Sequence, residues 1–435
     1  MKKLIDTIRD NKWLGILLLL GYGIVISFVL VVPFCNDLGS GWVDFRMERL
    51  TPRYSNLLQN GTVFTGERDA LSAYGYYLPY VMKWTGITDT AQIQMLWQSF
   101  FGGIVIAVYP LMIHMLWGNY LVSLLSPFIA HLCFGDYLYV NKCGEYFGEI
   151  WAVAIGLPLI LMLGKSKKKK DAIIITSLIA AVLSVTNTIR YMTGFPLLVV
   201  AIILLLWKFF RKVVGLKEIL IGVVLLIVCF NLLNVVIPKT LSEAKGVKEA
   251  NYYTACPFHT MLIGLGYIDN PYGLSYSDTV AFEMVEERFQ GEEYEYPYGE
   301  KYGEACKELY MEILRKDPGF VIKAYLVKLK DCIWQQALYV KRHWLPAILC
   351  ILIIVITLVM RCMEKKRVLS ILIWGYALTL LSCIWGLIGI PVSQYMVGGV
   401  GGIGVLICAL MINGLNDIYN EFKKRKKKDL SVAND

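Results

Sequence analysis

Apolar residues in this chain gather into blocks of roughly 18–22 residues, separated by polar and basic stretches. The blocks run from Trp13 to Pro33, Ile93 to Leu116, Tyr120 to Val140, Tyr146 to Gly164 and Ala172 to Ile189. They continue from Thr193 to Phe210, Ile219 to Ile237, Trp344 to Met360, Val368 to Ile388 and Tyr395 to Leu415. At 1.5 Å per residue each has about the length needed to cross a hydrocarbon core of about 30 Å. Only a helix satisfies its own backbone donors and acceptors in lipid, so the pattern predicts membrane helices. The expected architecture is an all-α polytopic membrane protein with about ten transmembrane helices, within a range of about nine to twelve. The first block follows a basic N-terminus, lacks a small-residue cleavage site and is long enough to span, so a retained anchor is expected.

Composition agrees with this pattern. Apolar residues make up 57% of the chain, against about 45–50% in an ordinary soluble domain, and the mean hydropathy is +0.54. The net charge of +9 adds orientation. Basic residues cluster at Lys2, Lys3, Arg9 and Lys12, at Lys165 and Lys167 to Lys170, and at Lys208, Arg211, Lys212 and Lys217. They recur at Arg361 and Lys365 to Arg367, and at Lys423 to Lys428. If the helices alternate, every cluster falls on one side, which makes both termini cytoplasmic in a multi-pass protein of the inner or plasma membrane. The Lys167 to Lys170 run then reads as a solvated loop near anionic lipid, and no nucleic-acid partner is expected.

Four parts follow from this arrangement. Residues 1–238 form an N-terminal transmembrane module containing a long first outer loop, 34–92. Residues 239–343 form an extracytoplasmic domain of mixed but mostly helical character, 344–420 the C-terminal transmembrane helices, and 421–435 a basic cytoplasmic tail. Of the eleven cysteines, Cys35, Cys143, Cys256, Cys306 and Cys332 fall outside, an odd number, and Cys256 with Cys306 is one candidate bridge. There is no CxxC, and the four histidines have no metal-ligand spacing. No cofactor is specified: no residue set asks for a divalent cation, and none excludes one. Gly399, Gly401 and Gly404 spell G-x-G-x-x-G inside an apolar block, where close helix packing through Gly398 and Gly402 is expected instead of nucleotide binding.

The candidate chemistry lies outside. The first loop carries Asp37, Asp44 and Glu48 just beyond a membrane helix, where a carboxylate can act as general base on a hydroxyl. Arg190 ends an apolar block at the outer interface and is followed by Tyr191. A cation there suits a lipid-linked phosphate through charge-assisted hydrogen bonds, or it snorkels to headgroups. Lys142 and Glu145 form a second polar cluster with Glu149, which should sit a turn inside its membrane helix, where an ionisable group is costly. In the outer domain His259 and Asp278 are candidates to face a cavity, the latter also as a helix cap.

These features together resemble the GT-C class of polyprenyl-phosphate-sugar-dependent membrane glycosyltransferases. The resemblance rests on Asp44, Tyr54 and Leu57-Leu58-Gln59-Asn60-Gly61 in the first loop, and on the aromatic run Tyr74-Gly75-Tyr76-Tyr77-Leu78. It continues with Arg190-Tyr191-Met192-Thr193-Gly194 at an outer helix end and Asp317-Pro318-Gly319-Phe320 opening an amphipathic helix before Trp344. The likeness implies transfer of a sugar from a polyprenyl-phosphate donor in the membrane to an extracytoplasmic glycan, lipid or protein. The base would be Asp44, with Asp37 and Glu48 as alternatives. Arg190, with Lys142 or Arg53, would bind the donor phosphate, and Tyr74, Glu145, Glu149, Tyr191, His259 and Asp278 would line the substrate cavity. A transporter or lipid flippase, or a non-catalytic envelope-assembly partner, would share the same hydropathy.

Overall fold

The computed structural model describes residues 12–35, 50–65, 74–138, 147–189, 193–247, 257–289, 300–342, 344–360, 365–391 and 396–432. The described parts of all ten apolar blocks are largely helical, and no strand occurs among the described residues. The first half contains α1 (Lys12–Cys35), α2 (Leu50–Asn60), α3 (Tyr74–Thr85), α4 (Thr90–Trp117), α5 (Tyr120–Leu138), α6 (Phe147–Lys165), α7 (Lys169–Ile189) and α8 (Phe195–Phe210). Next come α9 (Leu216–Asn231), a π turn at Leu232–Val236, and α10 (Ile237–Ala244). A helical segment follows, with α11 (Pro257–Gly264), α12 (Asp278–Phe289), α13 (Glu300–Lys316) and α14 (Pro318–Arg342). The chain ends in α15 (Trp344–Val359), α16 (Lys365–Ser382), α17 (Ile384–Ile388) and α18 (Val397–Val432).

Among the described residues, six helical segments are long and apolar enough to cross a membrane: Trp13–Pro33, Thr90–Trp117, Gly148–Lys165, Lys169–Ile189, Leu216–Ala244 and Gly402–Lys426. Four shorter apolar helices occupy the remaining predicted positions, at Tyr120–Cys133, Phe195–Phe210, Trp344–Val359 and Val368–Leu381. Their outward faces are those of a helical membrane protein. On α1, Leu17, Val25, Phe28 and Val29 are all exposed, and on α9 so are Leu220, Val224, Ile227 and Val228. Contiguous apolar surface on this scale is unfavourable in water and suits lipid.

The helices differ from the expected blocks in three places. The seventh block contains the π turn and does not stop at Ile237: α10 carries the helix on to Ala244. Pro238 has no N–H to give to the carbonyl four residues back, and the ladder widens there. The ninth block breaks at Cys383, so that α17 is a separate short helix. Gly386 of α17 lies so close to Met396 that a Cβ would come 2.6 Å from its Sδ. The last helix runs past Leu415 through the basic residues to Val432.

The interior is built around α6 and α18. Helix α6 packs against α4, α7, α8 and α18, burying Ile150, Ala152, Ala154 and Leu163. Helix α18 packs against α5, α6, α15 and α16. Small residues permit these approaches: a Cβ on Gly402 would lie 2.7 Å from Thr379 Cγ2, and one on Gly156 2.6 Å from Leu197 Cδ1. Polar pairs fix the register, with Asn119 Nδ2 donating to Asn416 Oδ1 at 3.1 Å. At the opposite end of α4, Asp89 caps the helix by accepting from the N–H groups of Ala91 and Gln92 at 2.8 and 3.1 Å. Helices α11 to α14 enclose a second core of Leu262, Leu265, Val285, Tyr302, Cys306, Ile313 and Phe320. Cys256 lies outside the described residues, and Cys306 is buried in this core.

Candidate functional site

Buried polar side chains concentrate where α4 and α6 begin and α7 and α9 end. Gln94, Gln98, Glu149, Asn187, Thr188, Thr193 and Asn234 are all at least nine-tenths buried there. Cross-links show that these helix ends meet. Asn187 Nδ2 donates to Phe230 O at 2.5 Å, and Tyr77 OH donates to Leu233 O at 2.5 Å. The widened π turn leaves carbonyls that a regular helix would consume, and side chains from α7 and α3 take up that capacity. Trp151 Nε1 donates to Phe101 O at 2.7 Å and locks α6 onto α4.

Glu149 lies at the centre of this layer, in the first turn of α6 and 4% exposed. Its Oε2 accepts the backbone N–H of Gly194 at 3.2 Å, and its Oε1 accepts the indole N–H of Trp385 at 3.3 Å. The first bond needs the left-handed backbone of Gly194, φ +76°. A Cβ at that position would come 2.7 Å from Leu183 Cδ2, so the turn is reserved for glycine by strain and by space. Helix position also favours an acid here, since the N-terminus of α6 presents unpaired N–H groups. The hydroxyl of Thr193, one residue before the turn, is fully buried with no hydrogen-bond partner among the described residues.

Arg190 and Tyr191 belong to the three residues between Ile189 and Thr193 that lie outside the described residues. Their flanks are fixed: a Cβ on Gly148 would meet both Ile189 Cβ and Thr193 Cγ2 at 3.2 Å. The connector that carries Arg190 therefore starts and ends against the first turn of α6. Asp37, Asp44, Glu48, Lys142 and Glu145 also lie outside the described residues. Tyr74 is the first residue of α3, and its side chain is not described.

Arg53 is 1% exposed, and its Nη1 donates to Val63 O at 2.9 Å. Its guanidinium sits 4.6 Å from the centre of the Tyr76 ring, which packs on Phe64 at 5.3 Å. Arg53 thus joins α2 to α3 through a small core of Leu57, Val63, Phe64 and Tyr76.

His259 and Asp278 do meet, in the α11–α13 core. Asp278 Oδ1 lies 3.1 Å from His259 Nε2, and Tyr302 OH lies 2.6 Å from His259 Nδ1. If the carboxylate accepts from Nε2–H, Nδ1 is left to accept from the Tyr302 hydroxyl. Asp278 is exposed and Tyr302 fully buried, so the chain of bonds runs from the surface into the core. Among the described residues no group of three or more His, Cys, Asp or Glu is placed to hold a metal ion.

Two contributors were not singled out from sequence. One is Trp385, on the short helix α17. The other is Lys328 of α14, fully buried, whose Nζ donates to Ile388 O at 3.2 Å and Gly389 O at 3.1 Å at the end of α17. The ammonium also lies 4.3 Å from the centre of the Tyr325 ring. Burial strips its water and lowers its pKa to about 8. Helix α17 is thus held at one end by Lys328 of α14 and at the other by the Glu149 carboxylate.

No family model, no curated protein and no solved structure matches this chain.

Proposed function

We propose that the chain is a membrane glycosyltransferase of GT-C-like architecture, moving a sugar from a polyprenyl-phosphate donor to an extracytoplasmic glycan, lipid or protein. In this reading all ten apolar helices span, both termini are cytoplasmic, and the Glu149 layer lies at the outer face of the plasma or inner membrane. The observation that carries the proposal is the buried Glu149 carboxylate. It is bonded to the turn that closes the Arg190 connector, at the end of the bundle where the polar interior collects. An ionisable group in such a place is expensive and is a functional hypothesis by default.

The chemistry would be a single displacement. A first-loop carboxylate, Asp44 with Asp37 and Glu48 as alternatives, takes the proton of the acceptor hydroxyl. The oxygen attacks the anomeric carbon, and the bond from that carbon to the phosphate oxygen breaks with its electron pair leaving on the polyprenyl phosphate. Arg190 stabilises the negative charge that grows on the phosphate, a contribution typically worth about 3–4 kcal/mol for one well-placed donor. Glu149 orients the connector that presents Arg190, and the configuration at the anomeric carbon inverts.

The test is turnover of a panel of labelled polyprenyl-phosphate sugars by the full-length protein in nanodiscs. Product should appear with at least one donor, and Arg190→Ala should lower its rate by about a hundredfold or more. Absence of transfer with every donor, together with movement of intact lipid-linked sugar between leaflets, would establish a flippase instead. Undiminished rates in Arg190→Ala and in all three first-loop amide variants would remove the assigned machinery.

A further inference from the structure

Helix α14 has two apolar faces. One, with Val321, Ala324 and Cys332 around Lys328, is buried against α17 and the outer core. The other is open. Ile322, Leu326, Leu329 and Ile333 recur at helical spacing along one stripe, and they are 59%, 61%, 38% and 42% exposed. Along one edge of the stripe stand Lys323, Lys330 and Trp334, all exposed. Asp331 is the single acid in α14, and it is turned elsewhere, accepting from Tyr267 OH at 2.8 Å.

We propose that this open face of α14 lies in the interface of the lipid bilayer. The stripe enters the acyl-chain boundary, while Lys323 and Lys330 reach anionic headgroups. Continuity argues for lipid as the occupant. Helix α14 ends at Arg342 and the apolar α15 begins at Trp344, whose exposed Ile348, Ile351, Leu352 and Val355 form the lipid-facing side of that helix. Helix α14 also packs against α17 and α18, so it lies across the end of the C-terminal helices. Charge agrees: an apolar stripe bordered by an edge of lysines and an aromatic ring is the composition of an in-plane interfacial helix. The inference is independent of any catalytic role.

The experiment uses the full-length protein in nanodiscs and reads the emission of Trp334 as the difference between wild type and Trp334→Phe. Lipids brominated near the headgroup end of their chains should quench most of that difference emission, and aqueous iodide little of it. A second variant, Leu326→Trp in the Trp334→Phe background, should be quenched by bromines placed deeper in the chain. Replacing zwitterionic lipid by anionic lipid should strengthen the shallow quenching in wild type and not in Lys323→Glu/Lys330→Glu. Quenching by iodide and not by bromolipid would overturn the proposal by placing the face in water. Shielding from both would overturn it too, by showing that a second copy of the chain covers the stripe.

Discussion

The ammonium of Lys328 is the most informative group to perturb. It is fully buried, contacts two carbonyl oxygens at 3.1 and 3.2 Å, and titrates near pH 8 instead of 10.5. At about 1.4 kcal/mol per pH unit, the charged form costs about 3 kcal/mol relative to the neutral amine in that site. The sign follows from proton counting. Between about pH 8 and 10.5 the unfolded chain holds a proton on this lysine that the folded chain has released, so stability rises with pH across that window. Below pH 8 both states are charged and the gain is absent. Lys328→Met keeps the apolar stem and abolishes the titration, at the cost of leaving two carbonyls less satisfied. The thiol of neighbouring Cys332 is itself pushed up to about 11 by burial, so it lowers stability as pH rises through the upper part of the window, equally in wild type and variant, and cancels in the comparison. The measurement is the pH dependence of thermal unfolding in detergent from pH 7 to 10.5, wild type against variant. Wild type should gain up to about 3 kcal/mol relative to Lys328→Met over that range. Parallel curves would refute the claim that the charged amine is buried at a cost.

Three further outcomes follow from contacts already described or adjoining them. Glu149→Ala leaves the Gly194 N–H and the Trp385 indole N–H without their acceptor and should destabilise by about 2–5 kcal/mol. Glu149→Gln, which keeps one acceptor oxygen, should cost about half as much, both read by chemical unfolding in detergent. Gly23→Ala sets a methyl against the Ala107 carbonyl oxygen, where α1 packs on α4, and should lower stability by about 2 kcal/mol through forced separation of the helices. Arg288 bonds Glu308 at 2.8 Å and Glu312 at 2.9 Å at the surface, so Arg288→Ala should cost less than about 1 kcal/mol, and high salt should erase the difference.

The helices were legible because lipid imposes a simple rule on sequence: a block of apolar residues of the right length, flanked by charge. That rule located Trp13 to Pro33 and Ala172 to Ile189 within a few residues. It fails where packing within the protein decides. The block from Val368 to Ile388 reads as continuous because breaking it at Cys383 changes no hydropathy, and the packing of the separated α17, with Gly386 against Met396, joins residues that sequence does not pair. Glu149 was legible as a carboxylate in an apolar block, but its partners were not, since Gly194 and Trp385 come from other elements. Lys328 left a faint trace: it recurs with Val321, Ala324 and Cys332 at helical spacing, a lysine on what is otherwise a core face. Arg53, a candidate phosphate ligand by sequence, is 1% exposed and closes a small core with Tyr76, a packing role that its charge does not announce.

Helix α17 has five residues and is therefore only about 7.5 Å long. A rod that short has no internal slack. One end carries Trp385 on the Glu149 carboxylate, and the carbonyls at the other accept from Lys328. A displacement of α14 would therefore reach the Glu149 carboxylate through this one short element, as through a linkage, and a change in Trp385 emission is the expected signal.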